Sequence, residues 1–85
     1  MTARHTQEHG GAWQFVETAD GRQRWQFKVV ETRHGHGVRK LYHSGIGPRS
    51  DLRYSRLICR DRTEAAAIRC ARQQAAGLRR WLDDQ

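Results

Sequence analysis

From Arg22 to Val29 the chain alternates without a break: Trp25, Phe27 and Val29 occupy every second position, with Arg22, Arg24, Gln26 and Lys28 between them. A period of two is that of a β-strand, whose successive side chains point to opposite faces. One face of this strand needs a core. The other is a row of cationic and hydrogen-bonding groups facing water, a surface suited to a polyanion.

The size of the chain limits what can surround that strand. Eighty-five residues make one domain, which buries only about 60–65% of its unfolded surface and leaves no roomy internal cavity. An apolar fraction of 36% is low, but three Trp, two Phe and two Tyr give a small core its bulk. Residues 1–11 are polar and end in Gly10-Gly11, the pattern of a tail. The domain is expected over residues 12–85.

The hairpin around the alternating strand sets the rest. Trp13 to Thr18 reads as a first strand and Asp20-Gly21 as a tight turn, since Gly accepts the positive φ that such turns require. A two-residue loop pairs Val16 with Trp25 and puts Trp13 and Phe15 on the face opposite Trp25 and Phe27. A three-residue Ala19-Asp20-Gly21 loop with a bulge pairs Phe15 with Trp25 and gathers all four rings on one face. Cross-strand aromatic pairs stabilise a hairpin, so the second register is expected.

Downstream, the second strand runs to Glu31 and His34-Gly35-His36-Gly37 reads as a turn. Val38 to Ser44 is a third strand whose phase stays open: Val38 and Tyr42 compete with Leu41 for the inward side, leaving Arg39 or Lys40 outward. Gly45-Ile46-Gly47-Pro48 interrupts the ladder, and Tyr54 to Cys59 reads as a short fourth strand. Asp61-Arg62-Thr63-Glu64 fits a capping box with Asp61 as the cap. Ile68, Ala71, Ala75, Leu78 and Leu82 then recur at spacings of three and four, one face of a helix. Trp81 points about 100° from that stripe, either capping the edge of the core or anchoring a partner. The expected fold is α+β: an antiparallel sheet of three to four strands packed against one long C-terminal helix.

Charge follows this layout. Residues 21–60 hold ten bases against two acids, whereas residues 1–20 sum to -2 and residues 61–85 to +1. The positive charge thus sits on the sheet, the usual footprint of nucleic-acid binding. Arg22, Arg24, Lys28, Arg39, Lys40, Arg53 and Arg56 are the candidate phosphate contacts, with Gln26 available for base edges. DNA is favoured over RNA. The alternative is an adaptor or inhibitor whose basic face docks an acidic surface of a larger protein. Arg outnumbers Lys fourteen to two, a bias that GC-rich coding alone also produces.

The order of elements resembles a family. A basic hairpin, a third strand, then Thr63 to Ala67 opening a helix after Ser55-Arg56-Leu57-Ile58, is similar in topology to the three-stranded-sheet-plus-helix DNA-binding domains of plant AP2 factors and tyrosine-recombinase arm-binding domains. The likeness covers residues 13–76. It implies a sheet that enters the major groove through Arg24, Gln26 and Lys28, with the helix bracing its back. The chain departs from that pattern in its further strand at 54–59, its long 45–53 loop and its lack of Gly-Trp-rich strand motifs.

Other chemistry finds little support. His34 and His36, with His43, Cys59 or Cys70, fall short of the paired spacings of a zinc site. The cysteines lack a positioned base and read as half-buried small hydrophobes in a reduced, cytoplasmic chain. Ser44-Gly45-Ile46-Gly47 lacks the Lys-Ser/Thr ending of a phosphate loop. Neither an enzyme, a cofactor nor a membrane span is expected, and the oligomeric state is not readable. If about six phosphate contacts form, log affinity falls with log salt at a slope near about -5; a flat response in a salt titration removes the nucleic-acid reading.

Overall fold

The computed structural model describes residues 3–7, 13–46, 48 and 50–85. Five strands, Arg4–Gln7 (β1), Trp13–Glu17 (β2), Gln23–Thr32 (β3), Gly35–Ser44 (β4) and Asp51–Asp61 (β5), form one antiparallel sheet in sequential order. The helix Glu64–Asp83 (α1) packs across one face and touches every strand. The α+β class is as expected, but the sheet has five strands, not three to four. The added strand is β1, inside the stretch read as a tail to residue 11; residues 8–11 lie outside the described residues. β1 pairs His5 with Val16, and Ala3 N–H donates to Asp83 Oδ1 at 2.7 Å, joining the start of the chain to the end of α1.

The expected hairpin register is overturned. Val16 pairs with Trp25 and Gln14 with Phe27, so Trp25 and Phe27 face the helix while Trp13 and Phe15 face away. Room explains the choice. The residues of α1 that meet the sheet are Ala67, Ala71 and Ala75, all fully buried, and a ridge of methyl groups brings the helix close to the strands. Four large rings beneath it would overfill the layer. Val16 and Gln14 fit, and both are fully buried. The loop opens to 19–22, closed by Thr18 N–H donating to Gln23 O at 3.0 Å, with Gly21 at φ 72°. Arg22 N–H donates to Asp20 Oδ1 at 3.0 Å and the Thr18 hydroxyl donates at 2.7 Å. The amide first and the hydroxyl second hold the Asp20 carboxyl below its usual pKa.

Strand β4 begins at Gly35, not Val38. Only Arg33 and His34 form the turn, and the glycines read as turn residues lie within the strand. Their role is clearance: a Cβ on Gly37 would stand 2.6 Å from Cys59 O, so the bare backbone admits β5. Val38 and Tyr42 face the helix and Leu41 faces away, which settles the phase. β5 is longer than the expected 54–59 because two register shifts, at Val38/Arg39 and Tyr42/His43, absorb extra residues.

Two expectations about the helix also change. Its cap is Thr63, whose Oγ1 accepts from Ala66 N–H at 3.2 Å, in place of Asp61. The buried stripe is as expected at Ala71, Ala75, Leu78 and Leu82 but begins at Ala67 instead of Ile68, with Cys70 packed at its edge, so the first turn presents an alanine to the sheet. Cys70 thereby faces Cys59 on β5, and the two form a disulfide. The reading of two free thiols is therefore corrected: the bond ties β5 to α1.

The register makes unequal demands on the four rings. Trp25→Ala and Phe27→Ala are expected to cost about 3–5 kcal/mol in urea unfolding, Trp13→Ala and Phe15→Ala less than about 1.5 kcal/mol; equal losses in all four refute the register. Reduction of the Cys59–Cys70 bond, with a sequence separation of 11, is expected to lower stability by about 3 kcal/mol, read as a fall in denaturation midpoint on adding dithiothreitol.

Candidate nucleic-acid interface

The sheet face opposite α1 has no element packed on it among the described residues. Its side chains follow from the pairing. One row across the strands reads Trp13, Lys28, Arg39, Leu57; the next reads Thr6, Phe15, Gln26, Leu41, Ser55; a third reads Arg4, Glu17, Arg24, His43, Leu52. Arg60 extends the basic set at the far end, opposite Gly37. Among the described residues Glu17 is the acid of this face, and it is paired to Arg4 at 3.0 Å. The other strand acids, Glu31, Asp51 and Asp61, lie on the helix side.

The eight residues singled out in the sequence divide between the two sides. Arg24, Gln26, Lys28 and Arg39 share the open face. Lys28 is exposed, while Arg39 and Gln26 are half-buried. Arg39 Nη1 donates to Ser55 Oγ at 3.3 Å. Arg24 is more committed: its Nη2 donates to Ser50 Oγ, and its buried Nε has no partner among the described residues. Arg22 lies in the 19–22 loop, exposed at the end of the hairpin.

Lys40 and Arg56 pair with each other on the helix side, contrary to a single shared surface. There Lys40 Nζ lies 5.7 Å from the Phe27 ring centroid, and the Arg56 guanidinium lies 4.5 Å from that of Tyr54. Arg53 sits at the second register shift, where its Nε donates to Ser44 Oγ at 2.7 Å. Period-two geometry enforces this separation: Arg39 and Lys40 are consecutive and point to opposite faces.

Trp13, Phe15, Arg4 and Arg60 stand on the open face but were not among the expected contacts. Trp13 and Phe15 were assigned to the core through the wrong register. Arg4 lay in the supposed tail, and Arg60 lay one residue past the expected end of the last strand. The signal for Trp13 and Phe15 was the two-residue-loop register, in which both rings project outward. The rings meet edge to face, with centroids 6.3 Å apart and planes at 83°.

The histidines do not come together among the described residues. His34 is exposed in its turn and His43 is on the open face, whereas His36 is on the helix side with Nε2 3.9 Å from Glu64 Oε2. Among the described residues no three His, Cys, Asp or Glu side chains group closely enough to hold a metal ion. Among the same residues, no helix is long and apolar enough to cross a membrane. The chain matches no family model, no curated protein and no solved structure.

Proposed function

We propose that this chain is a small nucleic-acid-binding protein that works through the helix-free face of its sheet. The observation that carries the reading is the sorting of charge: Arg4, Arg24, Lys28, Arg39 and Arg60 share that face, and the strand acids other than the ion-paired Glu17 lie behind it. A predominantly basic surface concentrates phosphates and releases their counterions on contact. Gln26, at the centre of the face, supplies an amide that both donates and accepts toward base edges. The protein would act by occupancy, as a regulatory or architectural binder, with no chemical step.

A cytoplasmic location fits a nucleic-acid partner and keeps thiols reduced. Binding must then survive reduction of the Cys59–Cys70 pair, so assays are run with and without reductant. The protein-adaptor reading predicts a different companion: a stoichiometric complex with an acidic protein that resists nuclease.

Two cross-strand pairs give a matched test of the face. Lys28 and Arg39 are neighbours on the open side; Lys40 and Arg56 are neighbours on the helix side. Each double reversal to Glu changes the net charge equally. The Lys28→Glu, Arg39→Glu protein is expected to lose about 100-fold or more in affinity for a 20-nucleotide probe at 0.15 M salt. The Lys40→Glu, Arg56→Glu protein should lose only a few-fold, since distant charge is screened within about 8 Å. Fluorescence anisotropy measures both, with circular dichroism confirming the fold. Equal losses, or a loss confined to the helix-side pair, defeat the assignment of the face.

A further inference from the structure

The nucleic-acid reading leaves the form of the strand open, and the shape of the open face narrows it. Five strands at about 4.8 Å spacing span about 19 Å from first to last. The major groove of B-DNA is about 12 Å wide and admits a helix or a two-stranded ribbon. The basic side chains here are spread over that whole width, from Arg4 on β1 through Lys28 and Arg39 to Arg60 on β5. A sheet that wide does not enter the groove face-on, so the groove-reading geometry implied by the sequence resemblance does not suit it.

The second observation is chemical. Trp13 and Phe15 stand on this face among the cations, Trp13 opposite Lys28 and Phe15 opposite Gln26. Both are half-buried, so part of each ring remains accessible. Duplex phosphates have no use for an aromatic ring, because paired bases keep their π-faces inside the stack. An unpaired base offers that face, and aromatic side chains beside backbone-tracking cations are what a single strand needs.

Resting on the nucleic-acid reading above, we infer that the ligand is a single-stranded polynucleotide, with one or more bases stacked on the Trp13–Phe15 pair and its phosphates lying along Lys28 and Arg39. DNA and RNA share this chemistry; arms of the experiment separate them.

The tryptophans themselves provide a probe. Trp25 is 7% exposed beneath the helix, and Trp81 is 58% exposed on α1, away from the open face. In a Trp81→Phe protein, quenching by a bound base therefore reports on Trp13. The full-length chain is titrated with 20-nucleotide oligo-dT, 20-nucleotide oligo-U and a 20-base-pair duplex, at 0.05 and 0.2 M salt. The expected result is single-strand affinity at least tenfold above duplex affinity, with Trp13 emission quenched on single-strand binding. Trp13→Leu keeps apolar bulk but removes the ring, and should weaken single-strand binding by about tenfold or more, a larger factor than its effect on duplex binding. Phe15→Leu is the second variant, and urea melts confirm that each is folded.

Salt-dependent duplex binding as tight as single-strand binding, insensitive to Trp13→Leu and Phe15→Leu, overturns the inference and leaves the nucleic-acid reading standing. No salt-dependent binding to any of the three probes overturns both.

Discussion

The close approach of α1 to the sheet is the constraint on which the molecule turns. Ala67, Ala71 and Ala75 lie one helical turn apart and are fully buried, so the helix rests on the strands with only methyl groups between. That spacing leaves room for two large rings, Trp25 and Phe27, supported by Val16 and Val38. It does not leave room for four. Once β3 turns its rings inward, β2 must turn its smaller half inward beside them, and Trp13 and Phe15 are carried to the other side. The Cys59–Cys70 bond and the contact of Ala3 with Asp83 hold the helix at two further points. The separation of the layers is thus fixed at the edge as well as in the middle.

Much of this was legible because it is periodic. The alternation through Trp25 and Phe27 gave β3 and the side that Arg24, Gln26 and Lys28 occupy. The recurrence from Ala71 to Leu82 gave α1. What the sequence did not show were relations between segments. The β2–β3 register was decided by the thickness of a layer whose other wall lies fifty residues away, roughly, and aromatic pairing alone argued the wrong way. β1 is four residues long with no apolar alternation, and exists because β2 offers it an edge. Gly35 and Gly37 carry the usual marks of a turn, yet they are strand residues made bare by the approach of β5. The cysteine pair was invisible for a similar reason: a bond needs Cys59 and Cys70 on facing surfaces, and that depends on how the first turns of α1 lie against β5.

The two faces of the sheet differ in more than exposure. On the helix side, Lys40 and Arg56 are drawn over the Phe27 and Tyr54 rings, where their apolar stems cover core edges. On the open side, Lys28 projects to solvent. The same formal charge therefore does different work on each side, packing against rings behind the sheet and setting a field in front of it. Net charge along the chain marked β3 to β5, missed β1 and β2, and could not divide the sheet's bases between these roles. The pleat does that.

Gln14 bears on why the open face carries rings at all. Its side chain is fully buried, with Oε1 2.8 Å from His5 Nε2 and Nε2 without a partner among the described residues. An orphaned buried amide costs about 1–3 kcal/mol, a large share of the stability of a domain this size. An apolar residue at position 14 would avoid that cost without moving the helix or the register. The aromatic surface at positions 13 and 15 adds a second cost, because rings left half in water forgo part of their burial energy. A chain selected for stability alone would reverse both choices, placing polar groups outward on β2 and apolar groups inward. Local rules broken together at one place are the usual mark of a working surface. Here they are broken on the strand that carries the two rings to the basic face, which is where the proposed single strand would stack.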